Sequence, residues 1–191
     1  MNSTRATLAI ARRHMRPTWI VALAARIAVG IATGFLLVPT TSPWVVYVVA
    51  LFYAALAGAE LRIRDLMYFA APLYGRQLAR AHALTAVTAA LAPPVAFFVV
   101  EALRGTPWSW TAMLATFVAC VVAALVGLSV SLRRGNAATG YFVVALVAAG
   151  AILALFTVGV PIYGWLAFAL LLGFLALRAF GETLARYDPL E

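Results

Sequence analysis

The chain is a succession of apolar runs too long to hide inside a domain of its size. Six are separated by their own punctuation, at 19–38, 44–59, 83–102, 108–132, 137–160 and 162–177. Each approaches the roughly 20 apolar residues that a helix needs to cross ~30 Å of hydrocarbon. Of 191 residues, 65% are hydrophobic and 10% charged, whereas about 25% are charged in a soluble domain. Folded in water, so short a chain has too little interior for that much apolar surface. The expected fold is all-α, a polytopic membrane protein with six transmembrane helices. The softest divider is 158–164, Val-Gly-Val-Pro-Ile-Tyr-Gly. It is read as separating two spans, because about 40 residues exceed a single crossing.

Charge orients these spans. All 14 basic residues are arginine. With six spans, Arg5, Arg12, Arg13, Arg16, Arg62, Arg64, Arg76, Arg80, Arg133, Arg134, Arg178 and Arg186 fall on one side. Arg104 alone falls on the other, and Arg26 lies inside the first span. The positive-inside rule then places both termini in the cytoplasm, with the chain in the cytoplasmic (inner) membrane. The net charge of +8 is thereby read as topology, and no nucleic-acid partner is expected. The first run exceeds the 7–15 residues of a signal-peptide core, so it reads as a span.

Several chemistries are excluded by inventory. Without lysine there is neither a P-loop, whose lysine reaches the phosphates, nor a Schiff base. Two histidines, His14 and His82, do not furnish a multi-histidine metal site. Cys120 is the only cysteine and has no disulfide partner in the chain. In mid-span it reads as a small buried apolar residue.

Two segments carry helical periodicity without spanning. In residues 4–16, Leu8, Ala11 and Met15 share a face beside Arg5, Arg12 and Arg16, and Pro17 closes the run. Residues 1–17 therefore read as a basic amphipathic helix in the headgroup plane, or else as a basic tail. Between the second and third spans, Ile63, Leu66, Met67, Ala70 and Leu73 recur at helical spacing, while Arg62, Arg64 and Asp65 lie off that stripe. Pro72 and Gly75 break the helix, and Arg76 leads into the third span. The segment 60–78 is either a rigid knob for a cytoplasmic partner or an ordinary interfacial connection.

A basic N-terminal helix, six spans, and a Glu/Arg-rich segment ending in Pro-x-x-x-Arg resemble the membrane subunits of type-2 ATP-binding cassette (ABC) exporters. The residues carrying the resemblance are Glu60, Arg62, Arg64, Asp65, the run from Pro72 to Arg76, and Arg133-Arg134-Gly-Asn136. The resemblance implies that 1–17 is an elbow helix and that 60–78 is a coupling helix, Leu66 and Met67 included, seated on a separate ABC ATPase subunit. Arg133 and Arg134 would make a second, smaller contact. It also implies a second copy of this permease or a homologous one, and ATP and Mg²⁺ bound by the partner ATPase. This chain itself would carry no cofactor and no enzymatic activity. Its function would be that of a permease exporting a hydrophobic or amphiphilic substrate, with 18–181 as the membrane domain, 182–191 as a cytoplasmic tail, and membrane lipids around it. A membrane anchor for a cytoplasmic partner is the alternative, and a lipid-modifying enzyme a more distant one.

Within the spans, Gly30 and Gly34 form a GxxxG that permits close helix approach, either within the chain or in a dimer seam. Pro93-Pro94 removes two successive backbone donors and should kink the third span, as a hinge or as a static bend. Glu101 is an intramembrane carboxylate. Arg104 lies three residues on, on the same helix face, and the two read as an ion pair at the outer interface or as part of a substrate path. Arg26 either snorkels to the cytoplasmic headgroups or lines a vestibule. Trp19, Trp44, Trp108, Trp110 and Trp165, with Tyr163, sit at span ends as an aromatic belt.

Overall fold

The computed structural model describes residues 17–36, 43–59, 75–105, 108–131 and 135–185. Among them the fold is all-helical, with no strand. In chain order the helices are α1 (Pro17–Leu36), α2 (Pro43–Ala59), α3 (Gly75–Leu103), α4 (Trp110–Ser131), α5 (Gly135–Thr157) and α6 (Ile162–Ala185). Four segments, His82–Leu103, Trp110–Val130, Ala138–Thr157 and Ile162–Thr183, are long and apolar enough to cross a membrane. The 17 residues of α2 span about 26 Å, the lower limit for a crossing.

The helix ends follow local chemistry. Pro17 and Pro43 open α1 and α2, where a missing N–H costs nothing. Ser109 caps α4, its Oγ accepting from the Ala112 N–H at 3.2 Å. Gly159 ends α5 at φ +83°. Val160 N–H reaches Leu155 O there at 3.0 Å, and Gly159 N–H reaches Phe156 O at 3.1 Å, a Schellman closure. The soft divider is thus a tight turn between two helices.

Two ends differ from expectation. Helix α3 starts at Gly75, so Arg76 belongs to its first turn and the connecting segment closes earlier than residue 78. Helix α6 continues to Ala185, past the expected end at 177 and into the expected tail. Arg178 and Glu182, paired at 2.9 Å one turn apart, support that polar extension.

Contacts along the first four helices show them alternating in direction. Gly30 and Gly34 of α1 meet Pro93 and Val100 of α3, so these two run parallel. Gly58 of α2 meets Ala124 and Leu128 of α4, which also run parallel. Val46, at the start of α2, packs with Phe97 and Phe98 at the end of α3 and with Met113 near the start of α4. Helix α4 is the hub, touching α2, α3, α5 and α6. Of its spanning window 61% is buried, against 17% of that of α6.

The outward surface is apolar. Val147 is 65% exposed, Leu170 75% and Phe174 62%, a density of exposed apolar side chains that soluble monomers avoid. Facing lipid, such side chains need no cover; this is the build of a membrane protein. Hydrophobic expulsion from water does not hold helices together in hydrocarbon, so close backbone approach must. Helix α2 accordingly presents Ala54, Ala55 and Gly58 to Ala124 and Gly127 of α4. Gly127 leaves only 2.5 Å between the position of a Cβ and the Ala55 carbonyl.

Candidate functional site

The buried face of α1 is a single stripe, Arg26, Gly30 and Gly34, spaced four residues apart. It lies against α3, where a Cβ on Gly30 would strike the Pro93 carbonyl and stand 2.9 Å from Ala96 Cβ. The GxxxG is therefore an intramolecular seam. Arg26 extends that seam. At 6% exposure it is buried against the rest of the protein, because its position in the four-residue stripe turns it inward.

Pro93 and Pro94 lie within α3, both buried. Proline has no N–H, so the carbonyls of Ala89 and Ala90 lose their i→i+4 donors. Beside the prolines α1, α2, α3 and α4 line a half-open cavity of ≈ 10 Å³, with Gly30, Thr33, Val49, Pro93, Phe97 and Thr116 among its walls. That is room for about one water. Thr116 spends its hydroxyl proton on the Ala112 carbonyl at 2.8 Å, and Thr33 on Val29 at 2.7 Å.

Two turns past the prolines along α3 stands Glu101, 1% exposed. Its Oε2 accepts from the Trp108 indole N–H at 3.2 Å. Its Oε1 has no hydrogen-bond partner. The expected ion pair with Arg104 does not form. Helix α3 ends at Leu103, and Gly105 at φ +72° turns the chain over. Arg104, its N–H still bonded to Val100 O at 3.0 Å, stands one turn beyond Val100 on the side of α3 that meets α1, and donates from Nη1 to Gly34 O at 2.6 Å. That carbonyl is one of the last four of α1, which have no intrahelical donor, and it sits at the negative end of the helix dipole. The Arg104 guanidinium also lies over the Phe35 ring, 5.8 Å from its centroid. One arginine thus fastens the end of α1 to the α3–α4 connection.

Around Glu101 the same end of the bundle is aromatic. Trp108 meets Phe97 and Phe98 edge-on at 5.6 and 5.5 Å, and Phe98 meets Phe117 at 5.4 Å, close to preferred T-shaped geometry. Trp108 is thus a ligand of Glu101 and part of an internal cluster. Trp165, 1% exposed and edge-on to Phe156, likewise belongs to the core; both depart from the expected belt, because position along the chain sets depth whereas packing sets which way a ring faces. Trp110 and Tyr163, 83% and 74% exposed, face outward as expected. Cys120 is buried.

His82 and Thr85 of α3 are also buried. Sequence reasoning assigned them no role, although a histidine inside an apolar helix was the signal available. The residues at 60–74, namely Glu60, Arg62, Arg64, Asp65, Leu66, Met67 and Pro72, lie outside the described residues, as do Arg133, Arg134 and the N-terminal segment 1–16. Among the described residues, no three His, Cys, Asp or Glu side chains gather as a metal site. The arrangement offers a buried acid, an aromatic wall and a small cavity. No protein family, characterised protein or solved structure matches the chain.

Proposed function

We propose that this chain is the six-span permease subunit of an ATP-driven exporter of type-2 ABC kind, moving a hydrophobic or amphiphilic substrate across the cytoplasmic membrane. Both termini lie in the cytoplasm on this reading, and a separate ATPase subunit binds ATP and Mg²⁺. A second permease copy or homologue completes the pair. The observation that carries the reading is the segment between α2 and α3. It bears the amphipathic, Glu/Arg-rich pattern, and it joins two helices that pack on each other and on the hub α4. A push on that connection is delivered to α2 and α3 together, and through them to the cavity whose walls they share. The coupling is mechanical: nucleotide-driven closure of the ATPases biases a bistable packing of the helices.

The test is a detergent pull-down of the tagged chain, comparing wild type with Leu66→Asp/Met67→Asp. An ATPase that co-purifies with wild type and is lost from the variant supports the reading. Its absence from both preparations overturns it in favour of an anchor subunit, which the same docking pattern would serve, or of a lipid-modifying enzyme.

A further inference from the structure

We infer that the Glu101 cluster is a substrate subsite that selects a lipophilic organic cation, an amphiphile whose ammonium or phosphonium centre sits against the carboxyl and the surrounding rings. The inference rests on the transport reading for its purpose, but the binding it asserts needs no ATPase.

Four observations converge. Glu101 is almost wholly buried, and Oε1 has no hydrogen-bond partner. The only other acid among the described residues, Glu182, is held by Arg178 at an exposed helix end. The cation nearest in sequence, Arg104, is committed to the Gly34 carbonyl and the Phe35 ring, so among the described residues no charge compensates Glu101. Lastly, Phe97, Phe98, Trp108 and Phe117 surround that end of the bundle, and aromatic faces attract cations that shed water readily. A carboxylate kept in apolar surroundings without a compensating charge is costly. An arriving cation removes that cost, whereas a neutral amphiphile does not, and an anionic one adds to it.

Access follows from the packing. Phe97 and Phe98, of the same aromatic cluster, line the cavity beside Pro93, and α1 forms one cavity wall through Gly30 and Thr33. Helix α1 is held chiefly by α3, with slight contact to α2, and its end is fastened by Arg104. As described, the cavity admits about one water, so a bulky cation enters only when α1 parts from α3. The site opens sideways to lipid, where a lipophilic cation is concentrated.

The experiment is binding of tritiated tetraphenylphosphonium to the full chain in detergent, by scintillation proximity, for wild type and Glu101→Gln. Glutamine keeps the shape and an acceptor for Trp108, and removes the charge. Saturable binding by wild type, weakened about tenfold or more in Glu101→Gln, is expected. A second measurement uses wild type alone: competition by unlabelled tetraphenylphosphonium against neutral tetraphenylsilane, with about tenfold preference for the cation expected. Equal binding by both proteins, equal competition, or no saturable binding by wild type overturns the inference. If the cation fails to bind while an ATPase co-purifies, this inference falls and the permease reading stands. If the cation binds and no ATPase appears, the reverse holds.

Discussion

Substituting Gly30 by alanine measures what holds α1 to the rest of the bundle. Its added methyl would stand 2.9 Å from Ala96 Cβ and closer still to the Pro93 carbonyl oxygen. Ordinary carbon contacts lie at about 3.5–4.0 Å, so on Ala96 alone the two helices must part by roughly 0.6 Å or more. Neither obstacle is a flexible side-chain tip. A gap of about 0.5–1 Å forfeits a quarter to a half of each dispersion contact, and it does so all along the seam from Arg26 to Gly34. Overpacking of this kind costs about 1–3 kcal/mol, offset by up to ~1 kcal/mol from the better helix propensity of alanine. The control is Gly150→Ala in α5, where an added Cβ meets nothing within 4 Å and only the propensity gain applies. Unfolding by denaturing detergent, followed by circular dichroism, should therefore rank Gly150→Ala at or above wild type. Gly30→Ala should fall about 1–2 kcal/mol below it, with increased protease cleavage near α1. Equal stability of the two alanine variants would refute the seam.

Arg104→Met should release the end of α1. It removes a charged donor from the Gly34 carbonyl, for which about 1 kcal/mol is expected at an exposed position, and the accessibility of a cysteine placed at Phe35 should rise without global unfolding. Cys120, buried in α4, should resist maleimide in the folded protein and react stoichiometrically after denaturation; rapid labelling of the native chain would contradict the position of α4 at the centre.

Much of this architecture was legible in the residues themselves. Helix number and the approximate helix positions among the described residues follow from apolar run length, because hydrocarbon forces each backbone to satisfy its own hydrogen bonds as a helix. The short polar dividers then mark the turns. Pro43 and Gly159 likewise act through local backbone chemistry that needs no tertiary context. The polar end of α6 was missed because an i to i+4 pair, Arg178 with Glu182, extends a helix beyond the point where hydropathy falls.

Partner choice was not legible, since it depends on which side of a helix faces another helix, and a uniformly apolar helix carries little trace of that. The Gly30–Gly34 motif stated that something comes close to α1; only the packing decided that it is Pro93 of the same chain. Arg104 stood in register with Glu101 by helical spacing, yet it also lies one turn beyond Val100, which packs on Gly34, and there the arginine capped α1 while the acid was left to Trp108. The sequence by itself determined that this chain forms apolar helices. The tertiary structure decided that α4 is the hub, that Arg26 and Trp165 turn inward, and that one carboxyl lies buried among aromatic rings. The reason is physical: secondary structure in hydrocarbon is fixed by local backbone hydrogen bonding and length, whereas the environment of a charge is fixed by atoms distant in sequence.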